Sequence, residues 1–182
     1  MKLRIISGLF KGRLINVPVS DLIRPTTDRV RETLFNLLNN KIDFEGIKVL
    51  DLYSGSGSLG LECISRGAES VTFVEKNFKI YKNLLQNISL LNVEKQSLVI
   101  KADAKDFTKK KSDVKYDLII ADPPFFKYDI YEVVDNIRKN LYLKENAFMI
   151  IERSIQTKEK DSLNFGLESF KVIGDACIYQ IA

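Results

Sequence analysis

From Ile47 to the end of the chain, short apolar runs alternate with stretches of helical periodicity. This alternation is typical of β-strands joined by helical crossovers, which pair in parallel through right-handed connections. The strand-like runs cover residues 47–52, 70–75, 97–100, 116–121 and 147–152, and the helical stretches cover residues 59–66, 77–91 and 131–140. The pattern therefore predicts a doubly wound, Rossmann-like α/β sheet.

The end of the sequence departs from this alternation. Two strand-like runs, residues 167–173 and 176–181, flank Gly174-Asp175, a dipeptide typical of two-residue hairpin turns. We expect the sheet to end in an antiparallel hairpin. Within the sheet domain, Asn77 should cap the longest helix. The predicted apolar stripe of that helix consists of Phe78, Tyr81, Leu84, Leu85 and Ile88.

The first 41 residues have a different character. Residues 4–8 and 13–17 are predicted to form two strands of a basic hairpin, joined by a connection that contains Lys11. A helix is expected to follow from Thr27 or Asp28, both of which are good N-cap residues. We therefore predict two parts, an N-terminal extension over residues 1–41 and an α/β domain over residues 42–182.

The charge is divided unequally between these two parts. The extension holds eight Lys/Arg and three Asp/Glu, whereas residues 42–182 hold twenty and twenty-one. All the excess positive charge thus lies in the first fifth of the chain. This distribution favours binding of a polyanion, and the alternative is a solvated surface on which the charges cluster by accident.

Composition excludes several kinds of chemistry. The chain has no histidine, which removes histidine-based zinc sites, Ser-His-Asp triads and imidazole general bases. Cys63 and Cys177 lie far apart and form no ligand pattern, so we expect reduced, buried thiols. No run approaches the ~20 apolar residues of a membrane span, and the first residues show no signal-peptide pattern. We expect a cytoplasmic monomer that needs neither a metal nor a membrane.

A glycine-rich loop joins the first strand of the domain to its helix. Its Gly55-x-Gly57-x-x-Gly60 spacing also fits the NAD fingerprint, with Glu75 at the distance of a ribose-binding residue. Asp51 argues against NAD, because a carboxylate beside the glycines suits a cationic sulfonium ligand better than a pyrophosphate. A dehydrogenase would also need a substrate domain, for which too little chain remains. The bland alternative is a glycine turn that serves only strand-to-helix packing.

Two further carboxylates follow the second and third strands of the domain. Glu75 could accept hydrogen bonds from both hydroxyls of a ribose, or it could be an exposed charge at a strand end. Asp103 could accept a hydrogen bond from an adenine amino group, or it could be the N-cap of the next helix. The sequence leaves both pairs of alternatives open.

Asp122-Pro123-Pro124-Phe125 ends the apolar run at residues 118–121, where α/β sheets bind ligands. Two prolines make the turn rigid and leave carbonyl groups without competing N–H groups nearby. The Asp122 carboxylate and a main-chain carbonyl could each accept one proton of a base amino group, while Phe125 stacks on the base. The nitrogen lone pair would then point at the methyl donor, without metal or histidine. The alternative is a plain Pro-Pro turn.

With these residues in place, the chain resembles the bacterial 16S ribosomal RNA (guanine-N2)-methyltransferases of the RsmD family over nearly its whole length. The glycine loop and the Asp-Pro-Pro-Phe turn are shared by many amino methyltransferases, whereas the block from Arg24 to Asn36 is typical of far fewer proteins and selects the family. The matching segments are Arg4-Ile-Ile-Ser-Gly8, Lys11-Gly-Arg13, Arg24-Pro-Thr-Thr-Asp-Arg-Val-Arg-Glu-Thr-Leu-Phe-Asn36, Asp51-Leu-Tyr-Ser-Gly-Ser-Gly-Ser-Leu-Gly-Leu-Glu62, Ser65-Arg-Gly-Ala68 and Asp122-Pro-Pro-Phe125.

The resemblance implies a class I S-adenosylmethionine-dependent methyltransferase with a seven-stranded, mostly parallel sheet. Its implied target is a guanine N2 in 16S rRNA of the small ribosomal subunit. Asp122, Pro123 and Phe125 would be catalytic, and Tyr53 stands where relatives often carry Phe. The implied cofactor contacts are Asp51, Tyr53, Gly55, Gly57, Gly60, Glu75, Asp103 and Ala104. The implied RNA contacts are Arg4, Lys11, Arg13, Arg24, Arg29 and Arg31, although some residues of the 24–31 segment could instead meet the cofactor carboxylate.

Three other functions compete with this one. An adenine-N6 or cytosine-N4 methyltransferase of DNA would share the logic of the Asp-Pro-Pro-Phe turn, but it normally needs a target-recognition region that this chain lacks. A protein glutamine methyltransferase typically carries Asn where Asp122 stands. A non-catalytic RNA-binding or cofactor-sensing protein would not need Asp122 and the glycines intact.

Overall fold

The structure is a computed structural model, and it describes residues 1–18, 28–124 and 126–181. Its strands are β1 (Lys2–Arg4), β2 (Leu14–Asn16), β3 (Lys48–Leu52), β4 (Ser70–Val74), β5 (Ser97–Ile100), β6 (Tyr116–Ala121), β7 (Leu143–Ser154), β8 (Lys171–Ile173) and β9 (Ala176–Ile181). Its helices are α1 (Asp28–Asn39), α2 (Ser58–Ser65), α3 (Phe78–Leu91), α4 (Ala104–Thr108), α5 (Ile130–Lys139) and α6 (Lys158–Phe165).

Seven strands form one sheet in the order β5-β4-β3-β6-β7-β9-β8. The five strands from β5 to β7 pair in parallel, whereas β9 is antiparallel to both β7 and β8. Gly174 and Asp175 form the turn between β8 and β9, as predicted. The predicted Rossmann-like α/β fold with a C-terminal antiparallel hairpin is therefore confirmed.

Hydrophobic side chains cover both faces of the sheet. On β6, Leu118 and Ile120 pack into a cluster with residues of α1, α2 and α3. Ile119 and Ala121 point to the other face, where they join a cluster with residues of α5. Because the strands are buried on both sides, they appear in the sequence as continuous apolar runs rather than as alternating ones.

The N-terminal hairpin (β1, β2 and their connection) is attached to α2. Glu62 is fully buried, and its carboxylate accepts hydrogen bonds from the N–H groups of Ile6 (2.7 Å) and Ser7 (3.0 Å). Gly8 has a φ of 78°, and a Cβ at this position would collide with the carbonyl oxygen of Ser65. The hairpin therefore has a fixed place on the α/β domain, and the boundary between residues 41 and 42 stays a prediction.

The structure corrects several details of the sequence-based expectations. The hairpin strands span three residues each, so their connection is longer than predicted, and α6 was not foreseen. Along α3, Phe78 and Leu85 are exposed to 53% and 41% rather than buried. They extend the apolar stripe beyond the strip of helix surface that the sheet covers. Cys63 and Cys177 are buried and free, as expected.

Candidate active site

Three acidic residues lie where neighbouring parallel strands end. In the register of the sheet, Leu52 of β3 stands opposite both Val74 of β4 and Ala121 of β6. Asp51, Glu75 and Asp122 each lie within one residue of these paired positions, so the sheet brings all three to one edge. The chain order reverses between β3 and β6, which is the place where open α/β sheets bind ligands.

Asp51 is the most deeply buried of the three, with 2% of its surface exposed. Its carboxylate accepts a hydrogen bond from the N–H group of Gly60 at 3.0 Å. Burial, together with the charges of Asp122 and Glu75, outweighs this hydrogen bond and raises the pKa of Asp51 to about 8. A cation bound beside Asp51 would reverse this effect, because it would stabilise the ionised form.

Glu75 is held by backbone groups on both sides. One of its carboxylate oxygens accepts a hydrogen bond from the N–H group of Gly55 at 3.1 Å, and the other accepts one from Asn77 at 2.7 Å. The Asn77 side chain in turn accepts from the N–H groups of Lys79 and Ile80, which makes it the predicted N-cap of α3. Since each carboxylate oxygen has two lone pairs, Glu75 retains acceptor capacity for a ligand.

The three glycines of the loop have different structural roles. Gly55 has a φ of 56°, and a Cβ there would contact nothing closer than 3.9 Å, so this position faces open space. At Gly57, whose φ is 82°, a Cβ would collide with Leu84 of α3. At Gly60 it would collide with Phe73 of β4. Gly55 thus leaves open space at the loop, whereas Gly57 and Gly60 permit α2 to pack closely against α3 and β4.

Tyr53 follows β3 in a left-handed backbone conformation, with a φ of 59°. Its hydroxyl is buried and interacts with the carboxylate of Asp129. Burial, followed by the charge of Asp129, raises the pKa of this hydroxyl. The ammonium group of Lys127 lies 5.1 Å from the centre of the Tyr53 ring.

Asp103 caps α4, since its carboxylate accepts a hydrogen bond from the Lys105 N–H group at 3.0 Å. Its other oxygen lies 3.2 Å from the ammonium group of Lys127 and 3.5 Å from that of Lys76. Partial burial acts to raise the pKa of Asp103, but these lysines and the Lys105 N–H group lower it overall. The structure therefore gives Asp103 the capping role, next to the buried Ala104.

The Asp-Pro-Pro turn follows β6. Asp122 is half-buried, Pro123 is buried and Pro124 is exposed, while Phe125 lies outside the described residues. The carbonyl group of Pro124 accepts a hydrogen bond from the Lys127 N–H group at 2.8 Å. This carbonyl was expected to have no competing N–H group nearby, and the expectation is wrong because the chain turns back on itself at Lys127.

The basic residues assigned to RNA have two kinds of environment. Arg4, Lys11, Arg13 and Arg29 are exposed, and Arg24 lies outside the described residues. Arg31 is fully buried, and its guanidinium donates to the Asp28 carboxylate at 2.6 Å and to the Arg4 carbonyl at 2.8 Å. The expectation of a surface contact with RNA does not hold for Arg31, which connects α1 to the hairpin.

Sequence reasoning missed two basic residues near the turn. Lys127 contacts Asp103 and Asp129, at 3.2 Å and 2.5 Å. Arg153 is fully buried and pairs with Asp161, also fully buried, at 3.1 Å. A signal for Lys127 was its place two residues after Phe125, whereas Arg153 lies near the end of the apolar strand β7 and belongs to no motif. In the described ranges, no group of three or more acidic or cysteine residues is arranged to hold a metal ion.

Comparison with known proteins assigns the chain to a family. A family model described as "Conserved hypothetical protein 95" matches residues 3–180. The chain is 34% identical to ribosomal RNA small subunit methyltransferase D of Escherichia coli strain K12, over 98% of this chain and 90% of that protein. The chain belongs to the ribosomal RNA small subunit methyltransferase D family. The family protein of Haemophilus influenzae is 38% identical, over 83% of this chain and 78% of its own length.

Solved structures agree with this membership. The structure of yhhF from Escherichia coli has a TM-score of 0.82 and 30% sequence identity, and the match covers 100% of this chain and 98% of that one. This score and coverage show that the two proteins share their fold over the whole of this chain. Among the described helices, none is long and apolar enough to cross a membrane.

Proposed function

We propose that this protein transfers a methyl group from S-adenosylmethionine to the exocyclic N2 amino group of a guanine in 16S rRNA of the small ribosomal subunit, acting as a monomer. The observation that carries the proposal is the convergence of Asp51, Glu75 and Asp122 at one sheet edge. Membership of the methyltransferase D family supports rRNA as the substrate class. The choice of guanine N2 rests on the resemblance of the whole motif set.

The chemistry of the site fits this cofactor. S-adenosylmethionine supplies an electrophilic methyl group on a positively charged sulfur. Asp51 would offer negative charge to the positively charged groups of the cofactor, in a setting where burial makes such interactions stronger than in water. Glu75, held by two backbone N–H groups, would accept hydrogen bonds from the ribose hydroxyls. Gly55 leaves space beside them.

The Asp-Pro-Pro turn would orient the target amino group. An aromatic amino group has two protons and a lone pair drawn into the ring. The Asp122 carboxylate would accept one proton and a main-chain carbonyl of the turn, with Pro123 the better candidate, would accept the other. Pro124 is the weaker candidate because its carbonyl already accepts from Lys127. The lone pair would then point toward the methyl donor, and holding the reactants in this way can lower the barrier by roughly 7–11 kcal/mol.

The basic hairpin would bind the RNA backbone. Arg4, Lys11 and Arg13 are exposed on a hairpin that Glu62 and Ser65 fix to α2. A rigid arm of this kind can set the position of the substrate with respect to the catalytic turn, because little conformational freedom is lost on binding. Phe125 would add to RNA binding by stacking on the target base, which contributes about 1–3 kcal/mol.

The test is incubation with methyl-labelled S-adenosylmethionine and a panel of acceptors: 16S rRNA, small ribosomal subunits, duplex DNA and protein. The expected result is label in 16S rRNA or in the subunit, recovered as N2-methylguanosine after digestion and mass spectrometry. Label recovered as N6-methyladenine or N4-methylcytosine in DNA, or as methylglutamine in protein, would contradict the proposal. Cofactor binding without transfer to any acceptor would favour a non-catalytic protein.

A further inference from the structure

We propose that Lys127 is a positioning residue. It fixes the Asp-Pro-Pro turn against the cofactor side of the cleft, so that cofactor binding and orientation of the target base are mechanically linked. The inference rests on the proposed function for its enzymatic consequences. Its structural basis is the Lys127 bridge, meaning the contacts of the Lys127 ammonium group with Asp103, Asp129 and the ring of Tyr53.

The backbone of Lys127 is held at both of its polar groups. Its N–H group donates to the carbonyl of Pro124 at 2.8 Å, which closes the turn. Its carbonyl accepts a hydrogen bond from Nη1 of Arg153 at 3.3 Å. Arg153 is fully buried, and its Nε donates to both carboxylate oxygens of Asp161 at 3.1 Å. A displacement of Lys127 would therefore be passed on to the turn that carries Asp122.

The anchor behind Arg153 is itself saturated with hydrogen bonds. The buried Asp161 carboxylate accepts from the hydroxyl of Tyr131 at 2.6 Å and from that of Thr157 at 2.6 Å, in addition to Arg153. Buried charges that are paired and hydrogen-bonded in this way hold a defined geometry, because breaking one contact leaves an uncompensated charge. The carbonyl of Lys127 is thus attached to a rigid part of the molecule.

The side chain of Lys127 joins three loops that follow three different strands. Lys127 itself comes after β6, Asp103 comes after β5 and Tyr53 comes after β3. The ammonium group lies 3.2 Å from Asp103, 2.5 Å from Asp129 and 5.1 Å from the centre of the Tyr53 ring. Only 24% of the side chain is exposed, so salt screens these contacts less than it screens a surface pair.

The consequence is a link between the two halves of the site. Asp103 and Tyr53 lie on the side assigned to the cofactor, and the Asp-Pro-Pro turn lies on the side assigned to the target base. When a ligand orders Asp103 and Tyr53, the Lys127 bridge would order the turn as well. Without the bridge, the cofactor would still bind, but the acceptor atoms of the turn would be held less closely in the geometry that methyl transfer requires.

The kinetic test compares Lys127→Met with a control variant, Lys144→Met. The control also removes an ion pair, of 2.7 Å to Asp117, but at the N-terminal ends of β6 and β7, away from the Asp-Pro-Pro turn. We expect K127M to lower kcat at saturating cofactor by about 10- to 100-fold, with a change in cofactor Kd of less than about threefold. Lys127→Arg should keep most of the wild-type kcat, and K144M should match wild type. Unchanged kcat in K127M would overturn the inference, and so would parallel losses of kcat and cofactor affinity.

A second readout requires no RNA. Hydrogen exchange at residues 126–129 should slow when S-adenosylhomocysteine binds to the wild-type protein and should not respond in K127M. An equal response in both proteins would overturn the inference, whatever the substrate. If wild type methylates no RNA but shows the K127-dependent exchange response, the proposed function fails and the Lys127 link stands. Should K127M not fold, Lys127→Gln is measured in the same way, with the same expected results.

Discussion

The elevated pKa of Asp51 predicts a steep pH dependence of cofactor affinity. With a pKa of about 8, this carboxyl is ionised in roughly one tenth of the molecules at pH 7. A cationic cofactor favours the ionised form, so binding must first expel the proton. Each unit of pH below 8 then lowers the apparent affinity about tenfold, or about 1.4 kcal/mol, until the pKa of the complex is reached.

Isothermal titration calorimetry of S-adenosylmethionine at pH 6 and pH 7 measures this effect directly. Wild type should bind about tenfold more weakly at pH 6, and titrations at pH 7 in two buffers of different ionisation enthalpy should reveal the release of close to one proton. Asp51→Asn keeps an oxygen to accept from the Gly60 N–H group, but it has no proton to lose. Its affinity should change little with pH. Equal pH dependence in the two proteins would refute the reasoning.

The same carboxyl makes the stability of the folded protein fall with rising pH, whereas it makes cofactor affinity rise. Its pKa in the folded protein lies above the unfolded value of 3.8, so the folded state binds the proton more tightly. The corresponding stability is fully present below about pH 4 and is lost as the pH rises toward 8. D51N should therefore raise the thermal midpoint at pH 8 by several degrees while changing it little at pH 4. A lower thermal midpoint for D51N than for wild type at pH 8 would show that the surroundings stabilise the ionised carboxylate rather than destabilise it.

The remaining predictions concern catalysis, RNA binding and the glycine loop. Asp122→Ala should lower kcat by about two to three decades, the loss of about 2–4 kcal/mol at the transition state, with near-normal cofactor Kd, and Asp122→Asn should be intermediate. Replacing Arg4 and Arg13 together by Ala should weaken RNA binding and lower the slope of log affinity against log salt by about 1.5, without change in cofactor Kd. Gly57→Ala should reduce the free energy of unfolding in urea by about 2–5 kcal/mol, through its positive φ and its collision with α3. Gly166→Ala, with a similar φ of 69° and open space around it, should lose only about 1 kcal/mol.

The packing of the N-terminal hairpin decides how its contribution to RNA binding can be tested. Deleting residues 1–17 would remove Ile5 and Ile15 from the core and leave the buried Glu62 carboxylate without the N–H groups of Ile6 and Ser7. Such a truncation is expected to unfold the protein rather than to isolate the RNA contribution. Charge-removing substitutions at exposed positions are therefore the informative experiment, with thermal midpoints as the control.

The features predictable from sequence are those determined by local chemistry. The apolar run at residues 116–121 predicted strand β6, Asp122-Pro123 predicted where it ends, and Gly174-Asp175 predicted the hairpin turn. In each case a short segment carries the whole signal, through period or turn preference. The convergence of Asp51 with Asp122 could be expected as well, because parallel strands bring their carboxyl ends to one edge.

Other features depend on contacts between segments that are distant in sequence. Gly57 matches a ligand-binding fingerprint, but its missing side chain makes room for Leu84 of α3. Arg31 looks like an exposed cation among other cations, yet it is buried and its guanidinium donates to the carbonyl of Arg4 in β1. The bridge from Lys127 to Asp103 joins residues 24 positions apart through the geometry of two loops. No local pattern encodes such distances.

The most direct test of the central claim is nucleoside mass spectrometry of 16S rRNA from cells that lack this protein, complemented with wild type or with Asp122→Ala. The account predicts that N2-methylguanosine at one position of 16S rRNA is absent without the protein, returns with wild type and stays absent or strongly reduced with D122A expressed at the same level. Full restoration by D122A, or 16S rRNA in which N2-methylguanosine is the same with and without the protein, would contradict it.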